Sequence, residues 1–386
     1  MHLDGAGRIG GREGIGSDDH LHARGLNGAG RPHSRSREAV GRKWVEHPAS
    51  ARMLKDPTGM FGHNARTFIL SEPTALAAEL PCRSVRAVPL RCGPMTVHIA
   101  RISLGDILLQ TVRSTPLAVL GTLPRSAVVL ALPFEGYGTA LLNGRAVRPH
   151  CVATFGAGAG YEMASPRDCT WAMLVLPSAT ISTLLGRRSL PPALRPGVHA
   201  VLSVSPAAWA RAEALARDAC EVAAQDPDIF ETEEVRRALR FELLEALDEL
   251  LASPTDDDPA RNRQARAAHR RLVRLVDDLV TANPSRIAGV AELSSALGVS
   301  ERHMRHAFVD VLGMSPSRYL RLRRLVLVRG ALRSQSLSGS SVREAALAHG
   351  FWHVGRFARL YHNAFGEPPS TTLESASGRA AVALAK

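Results

Sequence analysis

The chain of 386 residues has little cysteine, almost no lysine and no long apolar run. Its five cysteines are scattered without a Cys-x-x-Cys spacing, which argues against a disulfide framework and a structural zinc site. No stretch of about 18 apolar residues is free of charge, so we expect no membrane span. The first residues lack the basic start and apolar run of a secretory signal. These absences predict a cytoplasmic protein.

Positive charge is carried almost entirely by arginine and is concentrated near the C-terminus. The formal net charge is +12, and residues 270–373 contain 15 arginines and no lysine against 7 acidic residues. Two thirds of the excess charge therefore lies in little more than a quarter of the chain. A segment of this kind indicates a polyanionic partner.

The N-terminal part divides into a tail and a larger folded segment. Residues 1–60 are rich in Gly, Arg, His and Ser without apolar periodicity, and we expect a disordered tail. The alternative is a later start codon, in which case residues 1–52 are not translated. Residues 61–252 are predicted to form one domain, and proline with consecutive aspartates in residues 253–266 predicts a linker.

Within that domain, short β-rich runs are followed by helices. The candidate strands lie at 96–101, 107–113, 118–122, 127–132, 138–142, 146–148, 152–155 and 170–176. Strands at this spacing favour a small barrel or sandwich, and Asn143-Gly144 is typical of a hairpin turn. The candidate helices lie at 178–185, 206–224 and 232–252. The leucine stripe of the last helix indicates either core packing or a dimer seam.

Residues 267–375 have the pattern of a helical DNA-binding domain. An amphipathic helix at 270–282 precedes a short helix at 290–297, a turn at Gly298 and a second helix at 300–312. Ser300 can cap this second helix, whose outward face carries arginine and histidine. Side chains on the early turns of such a helix reach base edges in the major groove.

The same pattern recurs after a charged helix at 315–332. A short helix at 342–349 is followed by a turn at Gly350 and a second candidate recognition helix at 352–365. The intervening helix would be about 27 Å long, which approaches the ~34 Å of one DNA turn. Both units could therefore enter successive major grooves. Residues 376–386 are predicted to be a flexible C-terminus.

Three stretches of this region resemble a known family. Residues 298–308 (GVSERHMRHAF), 312–320 (LGMSPSRYL) and 345–370 (AALAHGFWHVGRFARLYHNAFGEPPS) resemble the two halves of the AraC-type (AraC/XylS) transcription regulator domain. The resemblance covers about 105 residues. It implies an all-α domain with two helix-turn-helix units that binds double-stranded DNA.

The resemblance also implies which residues face the DNA bases. They are Arg302, Arg305 and His306 in the first unit, and His353, Val354, Gly355, Arg356, Ala358 and Arg359 in the second. Arg356 and Arg359 are candidates for bidentate contacts to guanine, each of which typically supports about 1–3 kcal/mol of discrimination. Contact with a phosphate is the alternative for each arginine.

The order of strands and helices before the linker resembles the cupin-like sensing and dimerisation domain found in part of this family. The whole chain is then an α+β protein, and we expect a homodimeric activator that responds to a small-molecule effector and recruits RNA polymerase. No His-x-His motif of the metal-binding cupins occurs between His98 and His199, so we expect no metal, no cofactor and no enzymatic activity. A cupin-type enzyme with an appended DNA-binding domain is the alternative, and a ligand-free dimerisation module is a third interpretation.

Overall fold

The computed structural model describes residues 64–185, 189–252, 254–255, 260–285, 289–334 and 341–384. The predicted tail lies outside these ranges, as does part of the predicted linker. The N-terminal part is β-rich and the C-terminal part is helical, which confirms the α+β class in its coarse form. No helix in the described ranges is long and apolar enough to cross a membrane.

The N-terminal domain contains twelve described strands and the first four helices. The strands are β1 Ala65–Leu70, β2 Ser84–Pro89, β3 Val97–Leu104, β4 Ile107–Ser114, β5 Leu117–Thr122, β6 Ala127–Glu135, β7 Leu141–Leu142, β8 Arg145–Ala146, β9 Cys151–Phe155, β10 Gly160–Ser165, β11 Cys169–Pro177 and β12 His199–Ser203. The helices are α1 Leu76–Glu79, α2 Ser178–Leu185, α3 Pro206–Gln225 and α4 Glu233–Ala252.

The strands form two antiparallel sheets. One has seven strands in the order β1-β3-β4-β11-β6-β9-β12, and the other has five in the order β2-β5-β10-β7-β8. Among the described residues no strand pairing joins the two sheets, so they do not close into one continuous barrel. Asn143 and Gly144 turn between β7 and β8 with φ of 53° and 75°, the conformation expected of this hairpin.

Helices α3 and α4 cover the seven-stranded sheet. The sheet contributes Ile102 and Leu130 to a core that also contains Trp209 of α3 and Leu243 and Leu247 of α4. The leucine stripe of α4 therefore packs within the domain, and of the two interpretations given above the structure supports core packing.

The C-terminal part contains the remaining helices. They are α5 Ala260–Ala282, α6 Val290–Ala296, α7 Glu301–Leu312, α8 Pro316–Arg333, α9 Val342–Ala348, α10 Val354–Phe365 and α11 Pro369–Leu384. Two cores lie along α8. The first includes Phe308 and Tyr319, and the second includes Val328, Phe357 and Tyr361. Because α8 contributes to both cores, it joins the two halves of this domain.

Two boundaries differ from the sequence-based expectation. Helix α5 begins at Ala260, inside the predicted linker 253–266, and α11 continues to Leu384, through most of the segment 376–386 predicted to be flexible. The first turns of α5 are mostly exposed and carry no apolar stripe before Leu272. A helix without such a stripe gives no periodic signal in the sequence.

Candidate DNA-binding surface and its contact with the β-rich domain

The first half of the candidate surface is built by α6 and α7. Gly298 turns the chain between them with φ of 65°, and the hydroxyl of Ser300 accepts a hydrogen bond from the backbone N–H of His303, which caps α7. Met304 and Phe308 are fully buried and fix the helix to the core. Because these anchors occupy one face, the opposite face of α7 is presented to solvent. This face carries the predicted base-reading residues Arg302, Arg305 and His306, all of them exposed.

The second half is built by α9 and α10. Ser341 and Glu344 form a capping box at the start of α9, in which each side chain bonds the backbone N–H of the other residue. Gly350 makes the turn with φ of 80°. Phe357 and Tyr361 are buried and anchor α10 to the second core.

The predicted residues of the second half lie at the start of α10. His353, Gly355, Arg356 and Arg359 are exposed, and Val354 and Ala358 are half-buried. The assignment of these side chains to base contacts stays a prediction. The structure adds Trp352, whose side chain is 71% exposed directly before His353. The sequence itself indicates that Trp352 is exposed, because this residue does not share the three- and four-residue spacing of the apolar residues of α10.

Part of the arginine charge of this region serves internal contacts. On α8, Arg323, Arg324 and Arg329 are buried, although the sequence shows them as part of one basic helix. The Arg323 Nε lies 2.9 Å from a carboxylate oxygen of Asp277, which also accepts a hydrogen bond of 2.6 Å from the Tyr319 hydroxyl. The charge available to a polyanion is therefore smaller than the net charge of residues 270–373 suggests.

The five-stranded sheet packs directly on the first half of the helical domain. Val88 of β2, Ala118 and Leu120 of β5, and Ala164 of β10 belong to the same apolar core as Phe308 of α7. The core of the first helix pair is therefore completed by the β-rich domain. This shared core predicts that the two domains are one cooperative unit in the described state.

A buried carboxylate on the sheet holds the connecting helix α5. Glu162 of β10 is fully buried and forms ion pairs with Arg270 and Arg274 of α5. The Arg270 Nη1 also lies 2.8 Å from the Nδ1 of His199. Burial, reinforced by Arg270, lowers the pKa of His199 to about 3. His199 is therefore neutral at ordinary pH, since a second cation beside Arg270 is unfavourable.

A second ion pair crosses the contact with the charges exchanged, so that the arginine lies in the sheet and the carboxylate in α5. Arg86 of β2 donates to Asp277 of α5 at 2.6 Å and lies 2.5 Å from Asp278. The Asp277 side chain is fully buried and receives Arg86 from the β-rich domain and Arg323 from α8. One carboxylate thus links both domains.

The second half of the helical domain is also attached to the β-rich domain. The Nε and Nη2 of Arg329 lie 2.8 and 2.7 Å from the two carboxylate oxygens of Glu72, which follows β1. Arg333 contacts the same carboxylate at 2.8 Å. The backbone N–H of Gly93 donates to the carbonyl of Asn363 in α10 at 2.8 Å. Both helix pairs are therefore tied to the β-rich domain, the first through β10 and the second through Glu72 and the loop before β3.

Three histidines of α5 and α7 lie in contact with one another. The ring of His269 in α5 packs edge-on against His303 and His306, with centroid distances of 5.5 and 5.2 Å. Its Nδ1 lies 2.8 Å from a carboxylate oxygen of Asp310. The predicted base-reading residue His306 is thus oriented in part by a helix outside its own pair.

Comparison with known proteins places the similarity in this helical region. A family model described as a helix-turn-helix domain matches residues 293–375. A XylDLEGF operon transcriptional activator of Pseudomonas putida is 38% identical over 103 residues, which cover 27% of this chain and 31% of that protein. A probable thc operon regulatory protein of Rhodococcus erythropolis is 34% identical over 126 residues, covering 33% and 38%.

A solved structure gives a similar result. A probable AraC family transcriptional regulator from Rhodopseudomonas palustris is 36% identical, with 28% of this chain and 97% of that chain covered and a TM-score of 0.25. The chain spans about a third of the length of the curated relatives named above. The C-terminal domain is therefore similar in sequence to AraC-type transcription regulators.

Proposed function

We propose that the protein is a sequence-specific DNA-binding transcription regulator that reads DNA with two helix-turn-helix units. The observation that carries this proposal is the repeated arrangement of a short helix, a positive-φ glycine and a longer helix with exposed basic residues at its start. The exposed arginines are Arg302 and Arg305 on α7, and Arg356 and Arg359 on α10. Arginine can bond the O6 and N7 of guanine in the major groove with two hydrogen bonds.

The separation of the units suits adjacent grooves of one DNA face. Helix α8 has 18 residues, and at 1.5 Å per residue it is about 27 Å long. It contributes to both cores, so it holds the two helix pairs at a set distance. Successive major grooves are about 34 Å apart along the duplex. We assign base contacts to Arg302, Arg305 and His306 and to His353, Val354, Gly355, Arg356, Ala358 and Arg359, as the family resemblance implies.

The β-rich domain is the proposed sensor. We assign it a cupin-like architecture and the binding of a small-molecule effector, and its ion pairs with α5 and α8 support a direct effect on the DNA-binding helices. The curated relatives named as activators favour activation over repression. Homodimer formation and contact with RNA polymerase stay predictions of the resemblance.

The proposal is tested by titrating the purified chain against its own upstream DNA with unrelated competitor DNA at physiological salt. We expect protection of two adjacent major grooves. Arg359→Ala and Arg305→Ala should each weaken specific binding by about 1–3 kcal/mol, roughly 5- to 150-fold, with little change in non-specific binding. Arg237→Ala is the matched control, because Arg237 is an exposed arginine of α4 in the β-rich domain.

Two results would count against this reading of the surface. Equal losses of specific and non-specific binding would mean that the substituted arginine contacts phosphate instead of bases. If unrelated competitor DNA displaces the wild-type protein completely from every upstream fragment tested, the proposal of sequence-specific binding is overturned.

A further inference from the structure

Trp352 carries the most exposed large apolar side chain among the residues that the structure describes. It is 71% exposed, and Phe241 follows with 59%. Exposure alone assigns no role, because single apolar residues are common on protein surfaces. The position of Trp352 distinguishes it, since it lies directly before His353, the cap residue of α10. The indole therefore stands at the end of α10 that carries the predicted base-reading residues.

The chain around Trp352 is cationic and contains no acidic residue. Residues 345–366 include Arg356 and Arg359 but no aspartate or glutamate. Both arginines are exposed on the early turns of α10. A polyanion is the partner whose charge complements this segment, because cationic side chains attract phosphate groups and no carboxylate of the segment repels them. The charge thus favours DNA over an acidic or neutral protein as the partner of Trp352.

Gly355 leaves the first turn of α10 open to a partner. A Cβ added at Gly355 would have no atom of the described residues within 4 Å. Its φ is outside the left-handed region, so neither packing nor backbone conformation requires glycine here. Glycine weakens a helix relative to alanine, so it brings no benefit to α10 itself. Its lack of a side chain instead permits a partner to approach the backbone closely between Trp352 and Arg356.

We propose that Trp352 is a specificity-determining residue, whose indole packs against the C5-methyl group of a thymine in the major groove contacted by α10. The thymine methyl is the apolar group that base pairs display in this groove, and apolar side chains recognise it by contact. An indole gains from contact with an apolar group, because both surfaces are removed from water. The proposal rests on the DNA binding proposed above and adds a residue that distinguishes thymine from cytosine.

The contact is tested with the full chain and the duplex that it protects in its own upstream DNA. Each thymine of this duplex is replaced in turn by deoxyuridine, which removes only the C5-methyl group. At one position this change should weaken wild-type binding about threefold to tenfold, as expected for the loss of a buried methyl group. Trp352→Ala should bind the unmodified duplex about tenfold more weakly and should not respond to deoxyuridine at that position.

Three variants separate the contact from a general effect on folding. Phe241→Ala is the matched control and should leave the affinity unchanged, because Phe241 is an exposed aromatic residue of α4 in the β-rich domain. Trp352→Phe keeps an aromatic face and should retain the response to deoxyuridine. Gly355→Ala should be at least as stable as the wild-type chain in thermal unfolding but should bind the duplex more weakly. Unchanged binding by Gly355→Ala would overturn the close approach on which the contact depends.

Tryptophan fluorescence gives a readout that does not depend on affinity. Trp171 and Trp209 are 5% and 8% exposed, and Trp44 lies outside the described residues. In a Trp44→Phe chain, acrylamide should therefore quench mainly Trp352. Saturation with the specific duplex should reduce this quenching, because the indole is then covered. Undiminished quenching in the saturated complex would overturn the proposal.

The deoxyuridine series can also contradict the proposal directly. Wild-type binding that is insensitive to deoxyuridine at every thymine would overturn it. So would a Trp352→Ala variant that binds as tightly as the wild-type chain, or one that weakens equally on specific and unrelated DNA. These comparisons begin from specific binding by the wild-type chain. If competitor DNA removes that binding, the proposed function fails; if only the Trp352 and deoxyuridine effects are missing, the failure is confined to this contact.

Discussion

Replacing Glu162 by glutamine tests how strongly the two domains depend on one buried carboxylate. The Glu162 side chain is fully buried, and its partners Arg270 and Arg274 are 11% and 30% exposed. Glutamine has nearly the same volume, so the substitution leaves no cavity and changes mainly the charge. Removing one partner of a buried ion pair typically costs about 3–5 kcal/mol, because the remaining charge is left uncompensated.

We therefore expect Glu162→Gln to lower the free energy of unfolding by about 3–5 kcal/mol. The measurement is a urea titration that follows far-UV circular dichroism and tryptophan fluorescence together. The wild-type chain should unfold in one coincident transition, because the domains share a core. The variant should unfold at lower urea, and the two signals should separate if the helical domain is released first.

Two further variants decide the cause. Glu135→Gln is the matched control, because Glu135 is 54% exposed and lies 3.7 Å from Arg217, a surface pair worth less than about 1 kcal/mol. Replacing Glu162, Arg270 and Arg274 together by leucine and methionine should restore most of the loss, since apolar residues of similar volume often substitute for a buried ionic group. A loss below about 1 kcal/mol in Glu162→Gln would refute the reasoning.

Three other predictions concern backbone, pH and capping. Gly350→Ala should lower the thermal stability more than Gly298→Ala. Both glycines have positive φ, which costs a residue with a Cβ about 1–2 kcal/mol, but only at Gly350 would the new Cβ lie 3.2 Å from the carbonyl oxygen of Pro284. Equal losses of stability in the two variants would contradict this. In the folded protein the pKa of His199 is lowered to about 3, so the uncharged ring contributes to the free energy of unfolding above pH 6.5. This contribution is lost as the pH falls towards 3. In urea titrations this contribution should make the free energy of unfolding about 2 kcal/mol lower at pH 5 than at pH 7. A His199→Gln variant with the same pH dependence as the wild-type chain would refute the assignment of this effect to His199. Ser341→Ala should remove the capping box and cost about 1 kcal/mol, measured by thermal unfolding; a loss equal to that of an exposed serine elsewhere would argue against the cap.

The helical domain could be predicted closely from the sequence because its signals are local. Apolar residues at three- and four-residue spacing, a glycine at each turn and a serine at the start of α7 place α6 to α10 within two residues of their observed ends. The exposed state of Arg356 and Arg359 follows from the same spacing. Which of these side chains contact bases is a property of the complex with DNA, and it stays a prediction.

The β-rich domain was harder to predict because its decisive contacts are distant in sequence. Strands β1, β2, β10 and β12 were not predicted, and β10 contains a glutamate that a local pattern assigns to solvent. Glu162 is buried by arginines that lie 108 and 112 residues further along the chain. The same distance explains why Arg270 and Arg274 were counted as charge available to DNA, although their partner lies in the other domain.

The packing of the five-stranded sheet on the helical domain has a consequence for the exchange of parts between regulators. The similarity to curated relatives is confined to about a quarter to a third of this chain, which invites grafting of the helical domain onto another sensor. Such a chimera would expose Val273 and Val276, which now pack in the core shared with the sheet, and would leave Arg270 and Arg274 without their carboxylate. The exchangeable module is therefore larger than the helical domain: it must include β2, β5 and β10, or a sheet redesigned to present the same face.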